Sequence, residues 1–219
     1  SLMLLAADPV AYEPVPERGL SLGVRVDGGP LVHTGQIVPA SVPFAPLPPG
    51  DQVLQVFGAL RDTLQQAGSK LADVVKLNVV VSHPSVTPLV ERELTSRFGM
   101  GRLPAVSYVQ SPLPHPAMMI AVDAVALGQP GDEATVTLAP AGATRSPANW
   151  AVLPAGGVTY ISGQAEAGDG TLADATKSTM RSLLKTVEYL QRTPADIVQI
   201  KAFLTPMAAS ADALREIQG

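Results

Sequence analysis

Cysteine is absent from this 219-residue chain. That excludes disulfides, thiolate nucleophiles and cysteine-based zinc sites, and it leaves the redox compartment open. Charge is scarce too, at 16% of residues, with a net charge of −4. No block of Lys or Arg occurs, and phosphate binding needs clustered positive charge. A nucleic-acid partner is therefore not expected. Aromatics are only 4% of the chain, which leaves few stacking platforms for single strands. The three histidines, His33, His83 and His115, are scattered without ligand spacing, so no metal is expected. Neither a G-x-S-x-G elbow nor a phosphate-cradling G-x-x-x-x-G-K-[ST] loop is present, and no cofactor is expected. No apolar run approaches the ~20 residues that span a bilayer. The apolar start at residues 1–7 has no basic flank and does not read as a signal peptide. The expectation is a cytoplasmic protein with no membrane partner.

What the chain does have is a hydrophobic content of 46%, enough for a packed core. It also says one thing twice. Leu31-Val32-His33-Thr34-Gly35-Gln36 is echoed by Thr159-Tyr160-Ile161-Ser162-Gly163-Gln164. Ala72-Asp73-Val74-Val75 is echoed by Ala195-Asp196-Ile197-Val198. Gln36 and Gln164 lie 128 positions apart, and Asp73 and Asp196 lie 123 apart. Solenoid units run to roughly 20–50 residues, so this spacing points to a duplicated domain.

Residues 8–18 carry three prolines and read as an extended lead-in. Leu20, Leu22, Val24 and Val26 alternate with polar or small residues, as in a half-buried strand. The turn Asp27-Gly28-Gly29-Pro30 returns the chain into a second strand at Leu31–Gly35. After a proline-rich stretch, Asp51 is a candidate N-cap. Val53, Phe57, Leu60 and Leu64 then form a helical stripe that stops at Gly68. Val75, Leu77, Val79 and Val81 make one face of a strand, with Lys76 and Asn78 on the other. A helix from near Ser85 to Gly99 and strands at 103–110 and 118–127 complete the unit. This order predicts an α+β fold with both helices on one face of a mixed sheet. Domain 1 covers 1–128. A linker with a short strand at 134–138 covers 129–149. Domain 2 covers 150–219, with a strand at 158–163, a helix through Met180, Leu183, Leu184, Val187 and Leu190, a strand at 198–204 and a helix around Leu214 and Ile217. Nothing in it matches Leu103–Leu127, so the second copy reads as incomplete.

Val32-His33-Thr34-Gly35-Gln36, Ala67-Gly68, Asp73-Val74-Val75-Lys76, Pro104-Ala105 and Asp123-Ala124-Val125-Ala126 resemble the RidA/YjgF family, also labelled endoribonuclease L-PSP. In the second copy the resemblance lies in Tyr160–Gln164 and Ala195–Val198. It implies two chorismate-mutase-like domains and a homo-oligomer with a trimer-like arrangement, with small-molecule ligands in clefts between domains. It also implies hydrolysis of 2-imino or enamino acids to 2-oxo acids and ammonia. In that picture an arginine after Pro-Ala holds the substrate carboxylate, because a guanidinium fork meets a carboxylate in two parallel charge-assisted bonds. This chain has Val106 there. The family's glutamate on the last strand falls on Ala121, and its helix asparagine on Leu89 or Glu91. The first copy therefore reads as a scaffold without its catalytic pair.

The resemblance puts Thr34, Gly35, Glu91, Ser107, Tyr108, Ser162 and Gly163 near a ligand. Each also has a plainer reading. Gly35 and Gly163 suit strand-end geometry, or their N–H groups line a cleft. Thr34 and Ser162 satisfy local backbone, or donate to a ligand. Tyr108 is a strand aromatic or a cleft residue. Three functions stay open: an imine deaminase, a non-catalytic binding or assembly module, and, least supported by charge, a ribonuclease.

Overall fold

The computed structural model describes residues 9–40, 47–99, 101–129, 136–139, 148–159, 161, 164–205 and 209–218. They fall into two compact units. The first holds the described residues of 1–143 and 147–156, and the second those of 157–219.

The first unit is built on β1 (Val10–Val15), β2 (Leu20–Arg25), β3 (Leu31–Thr34), β4 (Val74–Val81), β5 (Ala105–Gln110), β6 (Ile120–Leu127), β7 (Thr137–Ala139) and β8 (Trp150–Leu153). They make one mixed sheet in the order β1-β2-β5-β4-β6-β3-β8-β7. At its centre β4 pairs parallel with β5 and antiparallel with β6. Two helices, α1 (Pro49–Gln66) and α2 (Thr87–Phe98), supply the second layer. Val53, Val56, Phe57, Leu60 and Leu64 recur at helical spacing on α1, and all are buried. Val90, Leu94 and Phe98 do the same on α2. Both stripes join one core with Leu77, Val79, Val81, Ile120, Val122 and Ala124. The α+β layering expected from the sequence is therefore present in this unit.

Several expectations change. The proline-rich lead-in contains β1, an edge strand. Pro14 has no N–H to give, and an edge position does not need one. Glu13, at φ 46, interrupts the pairing and hides the alternation. β2 and β3 form as expected but are not neighbours: β2 pairs with β5, and β3 with β6. The α1 cap is Pro48 rather than Asp51; Pro49 fills the first helical position, where a missing N–H costs nothing. Asp51 falls inside the first turn, where its charge still suits the positive end of the helix dipole. β8 pairs antiparallel with β3, so residues 150–156 belong to the first unit rather than to a domain beginning at 150.

The second unit consists of α3 (Leu172–Tyr189), a short 3-10 turn at Pro194–Asp196 and α4 (Ser210–Gln218). Thr171 caps α3: its Oγ1 accepts the Asp174 N–H at 3.1 Å. The helices expected around Val187 and Leu214 are these two. Residues 198–204 are not assigned to a strand; of the strand expected at 158–163, Tyr160, Ser162 and Gly163 lie outside the described residues. No helix among the described residues is long and apolar enough to cross a membrane.

Candidate functional site

Alternation along the strands of the first unit sorts polar from apolar side chains. In β4, Leu77 and Val79 enter the helix-side core, which puts Lys76 and Asn78 on the opposite face. Asn78 lies directly across from Ser107 on β5 and from Asp123 on β6. The result is one polar row over three adjacent strands. Asn78 Nδ2 donates to Asp123 Oδ1 at 2.8 Å, and Lys76 Nζ donates to Ser107 Oγ at 2.5 Å. Asp123 is buried although charged, while Ser107 is exposed. This row offers a cation, an amide, a hydroxyl and a carboxylate to a polar ligand.

A second cluster lies on the other face. Arg18, in the 3-10 turn Pro16–Arg18, pairs with Glu91 on α2; Nε donates to Oε1 at 2.7 Å. That bond raises the Arg18 guanidinium above its ordinary value. Tyr108 is close enough to feel both charges. Burial pushes its phenol up to about 12; the Glu91 charge adds to the rise and Arg18 opposes it. The Tyr108 hydroxyl is buried with no hydrogen-bond partner among the described residues.

The structure thus brings Glu91 and Tyr108 together and sends Ser107 to the opposite face. Val106 packs against the helix-side core with Tyr108. Ala121 is fully buried in a small apolar cluster with Val80, Leu113 and Met118. Thr34 is buried, and its Oγ1 accepts the Ala124 N–H at 2.9 Å. The Gly35 N–H donates to the Asn149 carbonyl at 2.8 Å, which is the plainer of its two readings. A Cβ at Gly35 would sit 3.1 Å from the Ala148 carbonyl oxygen, so the close approach of this loop favours glycine. Ser162 and Gly163 lie outside the described residues. Leu89, the other candidate for the helix asparagine, lines an open depression of about 250 Å³ with Asp51, Arg92 and Glu93. No group of three or more potential metal ligands occurs among the described residues.

Arg18 was not singled out in the sequence, and Asp123 entered only as part of the Asp123–Ala126 stretch, not as a site residue. Asp123 carries a readable signal, a lone charge inside the apolar strand Ile120–Leu127. Arg18 carries none, because its partner is 73 residues away.

No protein-family model and no curated protein matches the sequence. Solved structures do match. Many of them are Rid/YjgF proteins. A protein of unknown function from the conserved Rid family of Yersinia pestis is 24% identical, with a TM-score of 0.48 over 54% of this chain and 98% of that one. A YjgF-family member from Neisseria meningitidis is 18% identical, with a TM-score of 0.42 over 57% and 98%. A YjgF/YER057c/UK114-family member from Mycobacterium tuberculosis is 24% identical, with a TM-score of 0.38 over 54% and 98%. This chain is similar to Rid/YjgF structures over about half its length.

Proposed function

We propose that the first unit is a Rid-like module without imine-hydrolysing chemistry, serving as a small-molecule-binding or assembly unit in a trimer-like homo-oligomer. One observation carries the reading. The two positions where the family resemblance expects a carboxylate-binding arginine and a water-positioning glutamate hold Val106 and Ala121, both packed among apolar side chains. Neither can donate a hydrogen bond, carry charge or accept a proton. The polar row of Lys76, Asn78, Ser107 and Asp123 supplies the ligand contacts in this reading.

The test is the full chain assayed with 2-iminopropionate. The expected rate equals that of buffer. A rate above buffer that survives repeated purification and drops in Lys76→Ala would overturn the proposal and restore the deaminase. In parallel, a thermal-shift screen is expected to find stabilising uncharged compounds and no stabilising 2-oxo acid.

A further inference from the structure

An open depression of about 330 Å³ in the second unit is lined by Glu166, Ala167, Ser178, Arg181, Ser182 and Lys185. The last four lie on α3 at i, i+3, i+4 and i+7, which puts them on one face of the helix. Ser178 and Ser182 are half-buried, and Arg181 and Lys185 are exposed. The other wall is the segment 164–168, which is fastened along α3 at three points. Gln164 Nε2 donates to Thr186 Oγ1 at 2.8 Å, and the Glu166 N–H donates to Thr179 Oγ1 at 2.9 Å. A Cβ at Gly168 would run into the Ala175 backbone, so glycine lets the segment lie against the helix.

Arg181 and Lys185 stand four residues apart on α3, and like charges at that spacing destabilise a helix. Among the described residues neither forms an ion pair. Glu166 shares the depression with both and pairs with neither. Two cations and a carboxylate are therefore held around one concavity without neutralising each other. The Ser178 and Ser182 hydroxyls add two donors between them.

We infer that this depression binds a small dicarboxylic α-amino acid. The match is one of charge: the ligand brings two carboxylates to the two cations and one ammonium to Glu166. The Arg181 guanidinium takes one carboxylate through its fork, and Lys185 takes the other as a point charge. The serine hydroxyls donate to the carboxylate oxygens. A simple anion leaves Glu166 facing negative charge, and a monocarboxylic amino acid leaves one cation unmatched. The inference concerns the second unit alone and does not rest on the Rid-like reading of the first.

The test is an NMR titration of the full chain at low ionic strength, where exposed charges are least screened. L-glutamate or L-aspartate is expected to shift the backbone amides of 178–185 saturably, with a Kd of about 1 mM, within reach of a ligand of about ten non-hydrogen atoms. Glutarate, which lacks the ammonium, is expected to bind at least ~10-fold more weakly than glutamate, the factor for losing one charged hydrogen-bonded contact. Arg181→Gln should weaken glutamate by a similar factor. Glu166→Gln should reverse the order of the two ligands, weakening glutamate and strengthening glutarate. All these side chains are exposed, so the variants keep the fold, and unchanged amide positions outside 164–189 check that. The inference is overturned if neither amino acid gives a saturable shift at 178–185. It is also overturned if glutarate or inorganic phosphate binds the unaltered chain as tightly as glutamate, or if Glu166→Gln leaves the order unchanged. The iminopropionate assay involves none of these residues, so the two results stand independently.

Discussion

Gln52 lies on the first turn of α1 and is buried. Its Nε2 donates to the carbonyls of Leu47 and Ala117, each at 2.9 Å. Its Oε1 accepts the Met119 N–H, also at 2.9 Å. One amide therefore satisfies three backbone groups of two segments that have no regular partner, the approach to α1 and the loop before β6. Gln52→Leu keeps the apolar stem and removes all three bonds. Each bond contributes roughly 0.5–1.5 kcal/mol net, so losing all three costs about 2–4 kcal/mol. In urea, with m values of about 1–3 kcal/mol/M for domains of this size, the midpoint falls by on the order of 1–2 M. Gln52→Glu discriminates further. A carboxylate still accepts from Met119 but turns an oxygen towards two carbonyls. Its deficit at pH 7 should match or exceed that of the leucine variant, and it should shrink as pH falls through the carboxylate range, because a protonated acid donates again. A leucine deficit below about 0.5 kcal/mol, or a glutamate deficit independent of pH, would refute the three-bond account.

Two further outcomes follow from other contacts. Gly19 has φ +66, and a Cβ there would run into the backbone of Leu94 and Thr95 on α2, so Gly19→Ala should cost at least ~3 kcal/mol in chemical denaturation. Tyr108 carries a raised pKa of about 12. Its neutral form is favoured in the fold, so above the unfolded value near 10 the unfolded chain loses the proton first and stability falls between about pH 10 and 12. Tyr108→Phe should flatten that decline and, by removing a hydroxyl without a described partner, leave stability at pH 7 unchanged or raised by up to ~1 kcal/mol. Glu91→Gln should move the phenol titration, followed by ultraviolet absorbance, downward, because the Glu91 charge contributes to the rise and Arg18 opposes it.

How far the sequence could be read depended on the range of the interaction. The α1 stripe needs only its own spacing, and Val53, Phe57, Leu60 and Leu64 were legible for that reason. The stop at Gly68 was equally local; the residue adopts φ +73. β1 was hidden because Pro14 and the irregular Glu13 break the alternation that marks a strand. The placement of β2 and β3 was hidden for a different reason. A short glycine-containing turn normally joins paired strands, but here β5, β4 and β6, all distant in sequence, lie between these two in the sheet. In the site, Lys76 and Asn78 were legible as the polar side of an apolar strand. The pairing of Arg18 with Glu91, and the response of Tyr108 to both, depends on tertiary packing that no local pattern encodes.

The same dependence on range separates helices from strands in the two units. α1 and α3 both form because a helix satisfies its own backbone. β4 is different, because a strand in the middle of a sheet must find both ladders outside itself. The first unit provides them through β5 and β6. Burial then follows pairing: Phe57, Leu60 and Leu64 are fully enclosed beneath that sheet, while on the apolar stripe of α3 Met180 and Leu183 are partly exposed and Val187 is buried. At roughly 25 cal/mol per Å² of apolar surface, enclosing such side chains is the dominant favourable term in folding. The hydrophobic pattern alone therefore does not fix how far a helix is buried; the sheet it packs against does.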